Sequence, residues 1–386
     1  MREPLARRFD VVHCIPSPYR LHLFAVMDEE LRARGFDFHV HFMSKGDVDR
    51  PSFWRDPAIP FAHTYWRDFG WRTIHLNPGM VLHLRRVRPA YVLIGSPYDS
   101  LTGALTARFV RSGVSVAWSE GNTQNPGRMG GAAGLYKRWV LKQCAFVAVP
   151  GEEGARHIAL HQARTSWAMP RPAFLPNIVD ERRFKPREAW SPAEIESVQK
   201  DLGKKSDDER ICLCPARLER VKGLLEFVEK VPAEALSGWR VVVVGQGSLR
   251  ERLDQAIRSR GLQERILIRD YVPYEEMPKY YAASDLFLLP STYDPNPLSV
   301  VEAMHSGLPL ALSTRAGNVR EALEPGVNGW ALNVDDDHAY VQALREAFGA
   351  DAGCAVAKGR RSAEMARAFW GSRASVTRFL STLGLE

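Results

Sequence analysis

Short runs dense in Val, Ile, Leu and Phe recur along the chain. Between them lie longer stretches in which apolar residues return every three or four positions. The first pattern suits strands and the second amphipathic helices. In the first half, strands are expected at 9–15, 36–43, 91–95, 114–120 and 145–151, with helices at 20–35 and 101–113. The second half restarts the pattern, with strands at 211–216, 240–245, 265–271, 285–291, 308–313 and 329–334. Helices are expected in KGLLEFVEKV, SLRERLDQAIRSRG and YEEMPKYYAAS, and after Pro297. Strand, helix and strand at this spacing indicate βαβ units and a mostly parallel sheet. The second set of strands is almost continuously apolar, as expected where helices cover both faces.

Residues 176–210 are polar, charged and broken by prolines, which is a linker composition. At 386 residues the chain is too long for one ordinary core. The fold class is therefore α/β, with two doubly wound, Rossmann-like domains in tandem at 1–185 and 186–358. Residues 359–386 follow no strand and are expected to form a helix packing back toward the first domain. No short-period repeat or low-complexity segment is present. In such sheets ligands bind outside the carboxyl ends of the strands. The expected site is a cleft between the domains, lined by strand-to-helix loops.

Composition narrows the class. Hydrophobic residues make up 45% and charged residues 25%, as in a soluble globular protein. The sequence has no uninterrupted apolar run of about 18 residues, so no membrane-spanning helix is expected. The N-terminal MREPLARRFDVVHCIPS lacks the apolar core of a signal peptide, and a cytoplasmic location is expected. The five cysteines are Cys14, Cys144, Cys212, Cys214 and Cys354, an odd number with no CxxC pair. They read as reduced core thiols, with Cys212 and Cys214 on one side of a strand. Charge is uneven: residues 1–185 hold 26 Lys+Arg and 16 Asp+Glu, whereas residues 186–386 hold 26 and 29. A basic first half suits an anionic surface or acceptor, and equally suits mere solubility. His13, His22, His83 and His161 have no consistent ligand spacing, so no metal site is expected.

Three loops of the second half carry candidate chemistry. In CPARLERVKGLLEF (214–227), Arg217 and Lys222 follow a strand and precede a helix. Two cations at that mouth can hold a diphosphate, or can simply be solvated. In VVVVGQGSLRERL (241–253), Gly245 and Gly247 suggest a dinucleotide fingerprint, but Arg250 occupies the third glycine position. What remains is a tight turn at Gly247 that lets backbone approach a ligand. The third loop is STYDPNPLSVVEAMHSGLPLALSTRAGNVRE (291–321). Asn296 is a good N-cap, Pro297 a good first helical residue and Gly307 a good terminator, giving a helix at about 298–306. Its free N–H groups at Leu298, Ser299 and Val300 can meet phosphate oxygens. Asp294 can accept hydrogen bonds from hydroxyls, and Glu302 can take both hydroxyls of a ribose. Alternatively Asp294 caps a turn and Glu302 solvates a helix face.

Together these residues resemble a retaining glycosyltransferase of family 4, which has the GT-B architecture of two Rossmann-like domains. The resemblance covers most of residues 208–345. It rests on D-PNPLSVV-E (294–302), EAMHSGLP (302–309), GNVRE (317–321) and the earlier RLERVKG (217–223). LPNIVDERRF (175–184) at the junction resembles the family in organisation. The resemblance implies that Arg217 and Lys222 neutralise a nucleotide diphosphate, Glu302 binds the ribose and Asp294 contacts donor-sugar hydroxyls. Backbone around Asn296, Leu298 and Ser299 would meet sugar and phosphate, and main chain near Val272 the base. Two departures stand out. The first acid is usually Glu and here is Asp294. The following residues are commonly glycine-rich, whereas Pro295 and Pro297 each remove a backbone donor. Both point to an altered sugar pocket.

In the first half, CIPSPYRLHLF (14–24) offers Ser17, Tyr19 and Arg20 to an acceptor or donor phosphate. WSEGNTQNPGR (118–128) offers Glu120 and Asn122 where many family members carry a histidine near the reacting sugar. GMVLHLRRVRP (79–89) sets Arg85, Arg86 and Arg88 beside apolar residues, as in a membrane-surface helix or an ordinary amphipathic one. The expected protein is a retaining glycosyltransferase using a nucleotide sugar, a UDP-sugar first. Its acceptor hydroxyl would belong to an envelope polysaccharide or lipid-linked glycan. Arg217, Lys222, Glu120 and Asp294 would carry catalysis, without cofactor, metal or nucleic acid, with peripheral membrane contact through the basic domain. The alternatives are a natural-product glycosyltransferase, a nucleotide-sugar hydrolase or epimerase on the same fold, and a non-catalytic partner protein.

Overall fold

The computed structural model describes residues 6–45, 58–70, 74–110, 113–124 and 130–386. The chain divides into two units, Met1–Ile178 with Ser372–Glu386, and Val179–Gly371. The sequence had placed this boundary at 185/186. The first five residues, residues 111–112 of the expected helix and residues 125–128 of the loop after Trp118 lie outside the described residues.

The first unit holds strands β1 (Ala6–His13), β2 (Asp37–Phe42), β3 (His63–Tyr65), β4 (Pro89–Gly95), β5 (Val114–Trp118), β6 (Phe146–Val149) and β7 (Arg171–Phe174). They form one parallel sheet in the order β3-β2-β1-β4-β5-β6-β7. Its helices are α1 (Pro18–Ala33), α2 (Pro78–Val87), α3 (Leu101–Phe109), α4 (Gly131–Leu141) and α5 (Glu152–Gln162). The two edge strands β3 and β7 are the ones the apolar pattern did not reveal. β3 is three residues long, and β7 contains Pro172, which an edge tolerates because it needs fewer ladder donors. One face of this sheet is covered by α1 and the other by the layer of α2 to α5.

The second unit holds β8 (Arg210–Pro215), β9 (Trp239–Val244), β10 (Ile266–Arg269), β11 (Leu286–Leu289), β12 (Leu310–Ser313) and β13 (Gly329–Leu332), parallel in the order β10-β9-β8-β11-β12-β13. Its helices are α6 (Pro192–Asp201), α7 (Leu224–Lys230), α8 (Arg250–Ser259), α9 (Met277–Ala282), α10 (Leu298–His305), α11 (Val319–Ala322), α12 (Asp337–Gly349) and α13 (Ala352–Trp370). The near-continuous apolar strands are explained by two cores. Ile211, Leu213, Val242 and Val244 pack on one face; Cys212, Cys214, Val241 and Val243 pack on the other. Cys212 and Cys214 do share a face, and burial pushes the Cys214 thiol up to about 12, so it stays protonated.

The stretch expected as one helix from 359 is two, broken at Gly371. α13 starts at Ala352 and lies against α10 so closely that a Cβ on Gly359 would meet the Gly307 carbonyl oxygen at 2.0 Å. Then α14 (Ser372–Thr382) packs on α1 in the first unit, burying Val376, Phe379 and Leu380.

Candidate functional site

In the second sheet the chain turns outward from β8 to β9 and β10, then returns to the other side of β8 as β11. The strand order therefore reverses between β8 and β11. Adjacent loops diverge there and leave a crevice at the carboxyl edge. Lys222 lies in the loop leaving β8, and Asp294 in the loop leaving β11. The two loops are stitched by backbone: the Val221 carbonyl accepts from the amides of Thr292 (3.0 Å) and Tyr293 (3.2 Å). Gly223 permits this approach. It has φ of +65°, and a Cβ there would lie 2.1 Å from the Pro290 carbonyl oxygen.

The stitching brings two predicted residues together. Lys222 Nζ donates to Asp294 Oδ2 at 2.5 Å, and their side chains are 16% and 8% exposed. Asp294 is held by its own backbone, since its carbonyl accepts from Gly317 N at 2.8 Å and it bridges to Ala316. It therefore does not serve as a solvated turn cap. Arg217 does not join this pair: its side chain is 70% exposed and reaches Glu219 at 2.8 Å.

The helix entrance differs from the expectation. Pro297, at φ −69° and ψ 114°, is itself the N-cap, and α10 starts at Leu298. Its non-helical ψ is the reason that Asn296 is not the cap. Asn296 makes no cap bond, and its buried Nδ2 has no hydrogen-bond partner. The Pro297 carbonyl accepts from Asn318 Nδ2 at 3.0 Å, fixing the entrance to the loop after β12. The amides of Leu298, Ser299 and Val300 have no acceptor within the helix, by helix geometry.

Glu302 is not a solvated helix residue. It is 9% exposed, and its Oε2 accepts from the Tyr281 hydroxyl at 2.6 Å. Burial pushes its carboxyl up to about 7, against the opposing pull of the Tyr281 hydrogen bond and the charge of Arg183. Tyr281, fully buried on α9, is a residue that sequence reasoning missed. It sits in YEEMPKYYAAS, whose pattern indicates a helix and nothing about Tyr281 itself.

The glycine loop is a packing device. A Cβ on Gly247 would lie 2.4 Å from the Leu218 carbonyl oxygen, and one on Gly245 2.1 Å from that of Ala216. The close approach is thus to the neighbouring loop that carries Arg217. Val272 follows β10, beside a cavity of about 600 Å³ lined by Ile268, Asp270, Tyr271, Pro273, Glu276 and Tyr280.

In the first unit, a second cluster forms past the ends of β1 and β5. Arg20, 3% exposed, donates to Asn177 Oδ1 at 2.6 Å and is ion-paired with Glu120. Asn177 Nδ2 donates to the same Glu120 oxygen at 3.1 Å, and the Arg20 guanidinium stacks over Trp118 at 4.0 Å. Asn177 was not singled out, although it sits in LPNIVDERRF. Tyr19 flanks Arg20 at 4.9 Å, and Ser17 is buried before α1 with no capping bond. Asn122 is buried and turns inward to accept from Gln124 N at 2.6 Å. On α2, Met80, Val81 and Leu84 face the core, while Leu82 is exposed on the outer side. Among the described residues no group of three His, Cys, Asp or Glu is placed to hold a metal ion, and no helix is long and apolar enough to cross a membrane.

Residues 196–352 match the family described as glycosyl transferases group 1. The chain is 29% identical over 177 residues to 2-deoxystreptamine glucosyltransferase of Streptomyces kanamyceticus, covering 45% of this chain and 44% of that protein. It is 31% identical over 140 residues to the amylovoran biosynthesis glycosyltransferase AmsK of Erwinia amylovora, covering 34% of each. The chain thus spans less than half the length of these curated relatives. In structure it is similar to Anabaena HepE in complex with UDP and glucose, with a TM-score of 0.72, 17% identity and coverage of 98% of this chain and 99% of that one. At that identity the likeness is one of fold. The second unit therefore carries a segment matching the group 1 glycosyl transferases, within a chain of two Rossmann-like units of the GT-B fold class.

Proposed function

We propose that the protein is a retaining glycosyltransferase of family 4 that moves a sugar from a UDP-sugar to an acceptor hydroxyl. The observation that carries this reading is the joint placement of Lys222–Asp294 and Tyr281–Glu302 on either side of the α10 entrance. It is supported by the match of residues 196–352 to group 1 and by the UDP bound to the similarly folded HepE. A diphosphate arriving at the entrance would take its hydrogen bonds from the first-turn amides of α10 and draw Lys222 from Asp294. Arg217, free to swing from its exposed pair, would add a second cation. Glu302 would accept from the ribose hydroxyls with the oxygen that Tyr281 leaves open. The main chain at Val272 would meet the base.

In the transfer, the bond from the anomeric carbon to the diphosphate oxygen breaks and the bond to the acceptor oxygen forms. The acceptor proton goes to the departing diphosphate. No protein nucleophile is required, and catalysis is positioning and charge stabilisation. Asp294, released by Lys222, would accept from a sugar hydroxyl. Arg20, Glu120 and Asn177 of the first unit would contact the acceptor, with Ser17, Tyr19 and Asn122 beside them. No metal or cofactor is assigned a step. The acceptor proposed is an envelope polysaccharide or lipid-linked glycan at the cytoplasmic membrane face. An aminocyclitol-like natural product is the second reading, favoured by the identity to 2-deoxystreptamine glucosyltransferase.

The test is a thermal-shift comparison of UDP, GDP, ADP and dTDP, followed by product analysis with the nucleotide sugars of the winner. Stabilisation by one nucleotide diphosphate and acceptor-dependent release of it are expected. Binding of none would overturn the reading, and release without acceptor would point to a hydrolase.

A further inference from the structure

Among the described residues, thirteen large hydrophobic side chains are exposed, and six of them lie on three helices of one layer of the first unit. These are Leu82 on α2, Leu101 and Phe109 on α3, and Leu135, Tyr136 and Trp139 on α4. The helices are neighbours, α2 packing on α3 and α3 on α4. The opposite layer, α1 with α14, exposes none of the thirteen. α4 is the sharpest case. It buries Arg138 together with Val140 and Leu141, yet leaves Leu135 at 52%, Tyr136 at 38% and Trp139 at 37% exposure. The two aromatic rings lie side by side, 6.4 Å apart and nearly parallel. A helix that turns its aromatic residues outward while taking an arginine inward has an outer face selected for something other than water.

Charge identifies the occupant. The segments of α2, α3 and α4 contain five bases, Arg85, Arg86, Arg108, Lys137 and Arg138, and no acid. From Phe69 to Gly151 the sequence holds ten Lys+Arg and two acids, Asp99 and Glu120. Arg85, Arg86 and Arg108 are exposed on the same helices. Cations interleaved with Trp, Tyr and Leu suit the headgroup region of an anionic bilayer. There the rings enter the interface and the bases meet phosphate.

We propose that the outer face of α2, α3 and α4 docks on an anionic lipid surface, with Tyr136 and Trp139 as the anchors. This deepens the acceptor side of the function proposed above and rests on it for its purpose, while the surface itself is argued without it. The test is co-sedimentation of the full chain with phosphatidylglycerol–phosphatidylcholine vesicles and with pure phosphatidylcholine vesicles, without nucleotide. Binding is expected to the first only and to weaken as salt rises. Tyr136→Ser with Trp139→Ser should lose binding at any salt. Arg85→Gln with Arg86→Gln should weaken it about twenty-five-fold, since each base near such a surface contributes about fivefold. An unchanged melting transition checks that each variant folds. No vesicle binding, equal binding to both vesicle types, or undiminished binding by both variants would overturn the proposal. A concentration-dependent dimer lost on Trp139→Ser, without vesicle binding, would overturn it and assign the face to a second copy. Vesicle binding by a chain that binds no nucleotide diphosphate would sustain this inference while removing the donor reading.

Discussion

Lys222 Nζ lies 2.5 Å from Asp294 Oδ2, joining two loops that are 72 residues apart in sequence but adjacent at the reversal of the strand order. In the proposed transfer the cation would meet the diphosphate and the acid a sugar hydroxyl. Each partner is thus held in readiness by the other.

From this pairing, Lys222→Ala should lower turnover at least tenfold, by removing about 2–4 kcal/mol of charge stabilisation from the departing diphosphate. It should also lower stability, because Asp294 is left buried without its partner. Adding Asp294→Asn to that variant should recover part of the melting temperature and none of the turnover. Steady-state rates and thermal melts separate the two effects.

Asp294→Asn alone should do the reverse for binding. Lys222 would no longer have to leave a carboxylate, so affinity for a nucleotide diphosphate should rise severalfold while sugar transfer falls. Calorimetric titration with UDP, set beside turnover with a UDP-sugar, reads both. Weaker UDP binding would contradict the exchange of partners.

Glu302 ties function to stability. Burial holds its carboxyl near 7 in the folded protein, against the ordinary value of 4.5. The folded state therefore binds the proton more tightly than the unfolded one. Stability is full below about pH 4.5 and falls as pH rises through about 7, by about 3 kcal/mol in all. Glu302→Gln should remove that loss, raising the melting temperature at pH 8 with little change at pH 5. Nucleotide affinity should drop at least tenfold. A residue whose replacement stabilises the protein while abolishing binding is retained for the ligand.

Tyr281→Phe should push the Glu302 carboxyl further up, because the hydrogen bond it removes favours the ionised form. The pH above which nucleotide binds should move upward, and binding at a pH well above it should be nearly restored. A uniform loss at every pH would mean that Tyr281 only packs.

The tandem α/β organisation, the loops that carry Lys222 and Asp294 and the helix that carries Glu302 were legible from apolar runs and turn residues, because fully covered parallel strands write an unbroken signal. The edge strands β3 and β7 were not, since neither is long nor fully covered. In the site, the residue types were legible and their partners were not. Nothing local in the sequence says that Lys222 meets Asp294 or that Tyr281 meets Glu302, since both contacts depend on strand order. Asn296 misled because N-cap preference is a local rule, and here Pro297 takes the cap position itself. Gly247 misled in a similar way: the turn was foreseen, but its close neighbour is the backbone of Leu218.

The Val221 carbonyl, which receives two amides from the loop after β11, has one more consequence. The register between the loop after β8 and the loop after β11 is fixed by main chain, independent of which side chains occupy positions 293, 295 and 296. Substitutions there that keep the two amides in place should therefore leave the seat of Lys222 intact. On the proposed function, a different donor sugar can be met by side-chain changes alone, with the cation that faces the leaving group left in place.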